Sequence, residues 1–333
     1  FDLITGSERK TTGSYYTPPE LVNELIESAL VPVIEQRLAQ ARATDDEPGK
    51  PPKAPPSPPA AGGEGRGEVG HPPLAEKSRL SLRILDPAGG SGHMLRAAAR
   101  RVGKELAKLR TGEDEPAPER VRESVRDVIS HCIYGVDKNP LAVDLCRVAL
   151  WLESHTAGKP LSFLDHRIRC GDSLVGVFDL ATVRQGIPDK AFDPCQGDDK
   201  AAARAAAKVN REEKRGFQDL FAQRDSTDTV MIARHSRDMD AIPDDSPDLI
   251  RRKKELFEQA HRDPAWLTRK QACDLWTAAF FQSFQPDLPI ITSAPLADLL
   301  DGRPIDNRLL ARATVESARL RFFHWPLEFP EAC

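Results

Sequence analysis

Hydrophobic and polar positions fall into three differently patterned stretches along the chain. Near the start, Leu21, Val22, Leu25, Ile26, Ala29, Leu30, Val33 and Ile34 recur at three- and four-residue spacing, which predicts one amphipathic helix. Thr17-Pro18-Pro19-Glu20 has the form of a capping box: a hydroxyl N-cap at Thr17, proline at the first helical position, and Glu three residues after the cap. Further on, the pattern becomes strand, loop, helix, repeated. Leu80 to Leu85 reads as a strand ending at Asp86-Pro87, followed by a helix carrying Met94, Leu95, Ala98, Val102, Leu106 and Leu109. A helix over about 117–131 leads into the strand Cys132–Val136, ending at Asp137. Asn139-Pro140 then caps a helix carrying Leu141, Leu145, Val148, Ala149 and Leu152. Residues 168–171 read as a third strand, ending at Asp172. Strands alternating with helices predict an α/β fold with a parallel, doubly wound sheet.

From about residue 185 the strand signals stop. Residues 201–215, 248–260 and 270–284 read as helices, the last with Leu275, Trp276, Ala279 and Phe280 at helical spacing, aromatics expected to belong to a core rather than to a base-stacking surface. Between the first helix and the first strand the chain is rich in proline: nine of its 28 prolines lie between Pro48 and Pro73. With almost no large apolar side chain to offset the entropy of ordering, 44–76 reads as a disordered linker. The division expected is therefore an N-terminal helical segment (1–43), the linker (44–76), an α/β core (77–184) and a mostly helical insertion (185–333).

Composition narrows the partners. The 333 residues suffice for one large or two ordinary domains, and no apolar run reaches the roughly 18 residues of a membrane span. Lys+Arg 47 against Asp+Glu 51 gives a net charge of -4, so no overall positive field draws the chain to phosphate. The six cysteines contain no C-x-x-C pair, which suits reduced, buried thiols in a cytoplasmic setting. The eight histidines lack an H-x-x-x-H spacing, and no metal site is expected. The chain starts at Phe1 and reads as an internal segment of a longer protein.

In an open α/β sheet, ligands bind outside the carboxyl ends of the strands. Asp86-Pro87-Ala88-Gly89-Gly90-Ser91-Gly92 is a glycine-rich strand-to-helix turn, where backbone and helix amides approach a ligand closely. Asp137, at the end of the next strand, is placed to accept from vicinal ribose hydroxyls, and Asp172, at the end of the third, from an exocyclic adenine amine. Three acids at three successive strand ends outline an adenosine site.

Gly13-Ser14-Tyr15-Tyr16-Thr17-Pro18, Asp86 to Leu95, Tyr134 to Val143 and Cys170-Gly171-Asp172-Ser173-Leu174 resemble, in that order, motifs X, I, II and III of gamma-group adenine-N6 DNA methyltransferases. The match is to the large enzymes of type IIG restriction-modification and BREX-type phage-defence systems. The resemblance covers about residues 9–180. It implies a Rossmann-like S-adenosylmethionine-dependent methyltransferase fold, a cytoplasmic location, double-stranded DNA as partner through regions mostly outside this chain, and other defence-system subunits as further partners. It also implies a cofactor site of Tyr16, Thr17, Pro18, Asp86, Pro87, Ala88, Gly89, Gly90, Gly92, Asp137, Lys138, Asn139, Asp172 and Ser173. Gly89 stands where the family usually has cysteine. The family's motif IV, Asn-Pro-Pro-aromatic, does not occur: the one Asn-Pro, Asn139-Pro140, belongs to motif II. No catalytic residue is therefore assigned, and Phe322 to Glu331 resembles the segment that precedes motif IV. Two other readings are an adenosine-ligand-binding module without chemistry and a nucleotide-dependent oxidoreductase, against which the lack of a full Gly-x-Gly-x-x-Gly counts.

Overall fold

Among the described residues, the computed structural model holds one sheet of three parallel strands in the order β1-β2-β3, set in a mostly helical structure compatible with the α/β class. Residues 17–37, 76, 78, 80–217, 234–285 and 288–331 are described. The strands are β1 (Ile84–Asp86), β2 (Ile133–Asp137) and β3 (Ile168–Cys170). Ile84 pairs with Ile133, and Gly135 with Ile168, so that Asp86 and Asp137 both end their strands on one side of the sheet. The first strand is shorter than its sequence suggests. Leu80 is helical, and pairing starts only at Ile84 because the helix before β2 runs through Cys132 and leaves residues 80–83 no strand to pair with.

Helices α2 (His93–Thr111), α3 (Pro118–Cys132) and α4 (Pro140–Glu153) cover one face. Side chains alternate across a strand. Ile133 packs among Leu95, Val102 and Leu106 of α2, Val128 and Ile129 of α3, and Val143, Cys146 and Leu150 of α4. Tyr134 and Val136 point the other way, onto Phe323, Trp325 and Phe329. The second face is thus closed by the C-terminal segment. That segment runs beside the chain leaving β3: Asp172 N donates to Arg321 O at 2.7 Å, Phe323 N to Val175 O at 2.9 Å, and Trp325 N to Val177 O at 3.0 Å.

Other expectations also require correction. The capping box at Thr17 does not form: α1 (Pro19–Leu25) begins one residue later, with Pro18 at the N-cap position and no side-chain cap. The chain continues through a wider turn (Ile26–Leu30) to residue 37, burying Val22, Ile26 and Ile34 while Leu21, Leu25 and Val33 stay exposed. On α4, capped as expected by Asn139 accepting from Leu141 N at 3.1 Å, the residues Leu141, Leu145, Val148 and Leu152 are exposed. That helix has two apolar stripes, and the sheet takes the one formed by Val143, Cys146 and Leu150. Cys132, Cys146 and Cys273 are buried, whereas Cys170 and Cys195 are not. Residues 1–16, with Tyr16, and the linker apart from Glu76 lie outside the described residues; Glu76 accepts from Arg110 Nε at 2.9 Å.

Besides residues 234–240, which are helical, further helices are α5 (Leu180–Arg184), α6 (Lys200–Phe217), α7 (Pro247–Arg262), α8 (Pro264–Ala278), α9 (Ser293–Leu300), α10 (Asn307–Leu320) and α11 (Trp325–Glu328). Apart from α7, they contribute to a core that includes Ile187, Leu275, Ala279, Phe284, Ile291 and Leu296. Of the aromatics expected there, Trp276 is half-buried against that core and Phe280 is exposed.

Buried polar groups join the sheet to these helices. Arg167 is fully buried, donates to Asp240 Oδ1 at 2.5 Å and to His131 O at 3.0 Å, and lies 4.6 Å from the Tyr134 ring centre. Arg169 holds Glu328 through Nε at 2.7 Å. His324 Nε2 donates to Asp274 Oδ1 at 3.0 Å, and Val177 N donates to its Nδ1. Burial lowers the pKa of His166 from 6.5 to about 4, and burial also lowers that of His261. Below about pH 6.5 the unfolded chain therefore binds protons that the folded chain refuses, so this stability is present above pH 6.5 and is lost as pH falls towards 4. Urea unfolding should show a loss on the order of 2 kcal/mol between pH 7 and pH 4.5, before most carboxylates titrate. A flat profile over that interval would contradict the buried neutral state of both rings.

Candidate functional site

The glycine-rich turn between β1 and α2 is built by its own backbone. Asp86 accepts from Ala88 N at 3.0 Å, Gly89 N donates to Val136 O at 2.9 Å, and Gly92 N donates to Gly89 O at 2.8 Å. At Gly92, φ is 79° and a Cβ would stand 2.6 Å from Cys146 Sγ, so only glycine lets α2 start this close to α4. Gly90 has φ 51° and open space on its side-chain side. Gly89 has neither constraint: a Cβ there meets ordinary contacts at 3.7 Å and beyond. Gly89→Ala is accordingly expected to raise stability by about 0.4–1 kcal/mol through the unfolded chain, readable as a higher melting temperature. A marked loss would show that the turn is tighter than described.

Asp137 joins this turn to the next. Its Oδ2 accepts from Gly90 N at 2.8 Å and its Oδ1 from Asn139 N at 2.8 Å. One carboxylate therefore orders both loops, and each oxygen keeps a further lone pair. Burial raises the Asp86 pKa, and the neighbouring Asp137 charge adds to that rise despite the Ala88 N–H. Asp172 stands on the far side, accepting from Lys138 Nζ at 2.8 Å and Leu174 N at 3.1 Å. Ser173 O accepts from Trp325 Nε1 at 3.0 Å. Asp86, Ala88, Gly89, Gly90, Asp137 and Asn139 form one bonded cluster, whereas Asp172 and Lys138 form a second at the neighbouring strand end. Pro87 lies within the turn, and Thr17 and Pro18 precede α1, whose Val22 and Ile26 pack on Ala98 of α2.

One residue at this end of the sheet escaped the sequence reading. Arg321 has φ 56°, a left-handed conformation uncommon for a side chain of its type. Its carbonyl accepts from Asp172 N, and its guanidinium donates to Lys138 O at 2.8 Å and contacts Cys170 Sγ at 3.2 Å. It ties the second and third strand ends together. No local signal marks it, because its partners lie more than 140 residues away.

Over an alignment of 199 residues that covers 54% of the chain, it is 26% identical to a protein of Methanocaldococcus jannaschii named "Putative type II restriction enzyme and methyltransferase". The matched stretch spans 16% of that relative's length. No protein-family model matches the chain, and no solved structure matches it.

Proposed function

We propose that this chain is the cofactor-binding part of an S-adenosylmethionine-dependent DNA methyltransferase with a Rossmann-like core, acting on adenine N6 in a restriction-modification or phage-defence system. The observation that carries the reading is the placement of three carboxylates, Asp86, Asp137 and Asp172, at the carboxyl ends of three adjacent parallel strands around a glycine turn with open space above Gly90. The likeness to a named restriction enzyme and methyltransferase supports it.

The residues present fit the cofactor. The turn at Ala88 to Gly92 and the Asp86 carboxylate would hold the amino acid end, as would Thr17 and Pro18. Asp137 would accept from the ribose hydroxyls with its remaining lone pairs, and Asp172 from the adenine amine. Bound there, S-adenosylmethionine would supply an electrophilic sulfonium methyl group. Asp137 has a second task in this scheme: by holding Gly90 N and Asn139 N it sets the turn before the ligand arrives, which lowers the ordering cost of binding.

Asp137→Ala should weaken S-adenosylhomocysteine binding by about 1–3 kcal/mol, the cost of unmade charge-assisted hydrogen bonds. Isothermal titration calorimetry reads this directly. Asp137→Asn should fall between, since it retains an acceptor and loses the charge. Equal affinity for all three proteins would remove Asp137 from the site.

A further inference from the structure

A cavity of about 450 Å³, counted to its open mouth, lies where α3 meets residues 240–245 and α7. It is separate from the loop cluster around Asp137: α3 feeds the amino end of β2, whereas that cluster stands at the carboxyl ends of the strands. Arg126 of α3 and Lys253 of α7 line it, each only 3% exposed, together with Asp127, Asp240, Asp244 and Asp245.

The charges on these walls do not balance. Asp127 is paired with Arg110 at 2.7 Å, Asp240 with Arg167 at 2.5 Å, Asp244 with Lys253 at 2.7 Å and Asp245 with Lys159 at 2.9 Å. Each carboxylate thus has its own cation, and Arg126 is left over. Its guanidinium is held by carbonyls: Nη2 donates to Pro160 O and to Asp244 O, both at 2.6 Å. Carbonyl oxygens satisfy donors without neutralising the charge. The other buried charged residues each meet an opposite charge, Arg167 at Asp240, Lys253 at Asp244, and Asp274 at Lys270, 2.6 Å away. Arginine is rarely buried without such a partner, because a desolvated charge is costly and the guanidinium cannot shed its proton. Among the described residues, Nε and Nη1 of Arg126 make no hydrogen bond, and Lys253 Nζ, which has three donors, uses one of them.

We infer that this cavity binds a small monocarboxylate. One unmatched positive charge calls for one negative charge, and four paired aspartates on the same walls disfavour the second charge of a phosphate dianion. A carboxylate brings two acceptor oxygens, one for the unused donors of Arg126 and one for those of Lys253, and bonds between ionised partners are the strong ones. The inference does not depend on the reading of the cofactor loop.

The test titrates the full chain, at neutral pH and constant ionic strength, with acetate carrying a 13C carboxylate. It reads the acetate line width and the Arg126 Nε–Hε signal of the 15N-labelled protein. Acetate should bind saturably, at least about tenfold more tightly than phosphate or than acetamide, its neutral analogue, the worth of one charge-assisted hydrogen bond, and should shift the Arg126 signal. Arg126→Met should weaken acetate binding at least about tenfold. That variant also loses the bonds to Pro160 O and Asp244 O, so circular dichroism checks its fold. Should it fail to fold, the wild-type Arg126 shift and the preference for acetate over acetamide decide. Absence of saturable binding at millimolar acetate, equal binding of acetamide or phosphate, an unmoved Arg126 signal, or full affinity in a folded Arg126→Met protein would each overturn the assignment.

Discussion

Asp240→Ala is expected to lower the unfolding free energy by about 3–5 kcal/mol, the range for removing one partner of a buried ion pair. The reason lies with the residue left behind. Arg167 has no exposed surface, and Asp240 is its one carboxylate partner among the described bonds; His166 Nε2 and His131 O are neutral acceptors. Without Asp240 a guanidinium would stay charged beneath Tyr134. Its proton is not released near neutral pH, because arginine stays protonated even when buried. The double variant Asp240→Ala with Arg167→Met should recover much of the loss, since a missing pair costs less than an unpaired charge. Urea unfolding of the three proteins checks this. A loss below about 1 kcal/mol for the single variant would mean that water or another acceptor compensates Arg167.

Gly176→Val is expected to be nearly as damaging, at about 3 kcal/mol or more, the upper end for overpacking. A Cβ at Gly176 would lie 1.9 Å from Phe323 O and 2.6 Å from Phe323 C. Those are backbone atoms held by Phe323 N to Val175 O and Trp325 N to Val177 O, so they have no rotamer with which to move aside. The segment that covers Tyr134 and Val136 would have to lift, uncovering the second face of the sheet. Near-ultraviolet circular dichroism, sensitive to Trp325, should lose amplitude before the helical signal does. An unchanged melting temperature would show that this contact is looser than described.

Local features were legible in the sequence because their causes are local. The three strands, the helices on their first face and the Asn139 cap follow from apolar period, proline placement and turn residues within about ten positions. The cover on the second face did not, since Tyr134 meets Phe329 across almost two hundred residues. For the same reason the Arg167–Asp240 pair and the left-handed Arg321 left no pattern to read. Two helical stripes were misjudged for another reason. Periodicity shows that α1 and α4 have apolar positions, but which of them are buried, Val143 rather than Leu141 on α4, depends on the tertiary neighbours each stripe meets. At the candidate site, the acids at strand ends were legible; that Asp137 is shared between Gly90 N and Asn139 N was not, because hydrogen-bond partners 47 residues apart leave no spacing rule.

We propose that the loop cluster around Asp137 holds an adenosine with a sulfur-bearing amino acid rather than a dinucleotide. Calorimetric titration of this chain with S-adenosylhomocysteine and, separately, with NADH tests it most directly. Saturable one-to-one binding of S-adenosylhomocysteine, weakened in Asp137→Ala, and no heat of binding with NADH are expected. Tight NADH binding with no response to S-adenosylhomocysteine would contradict it.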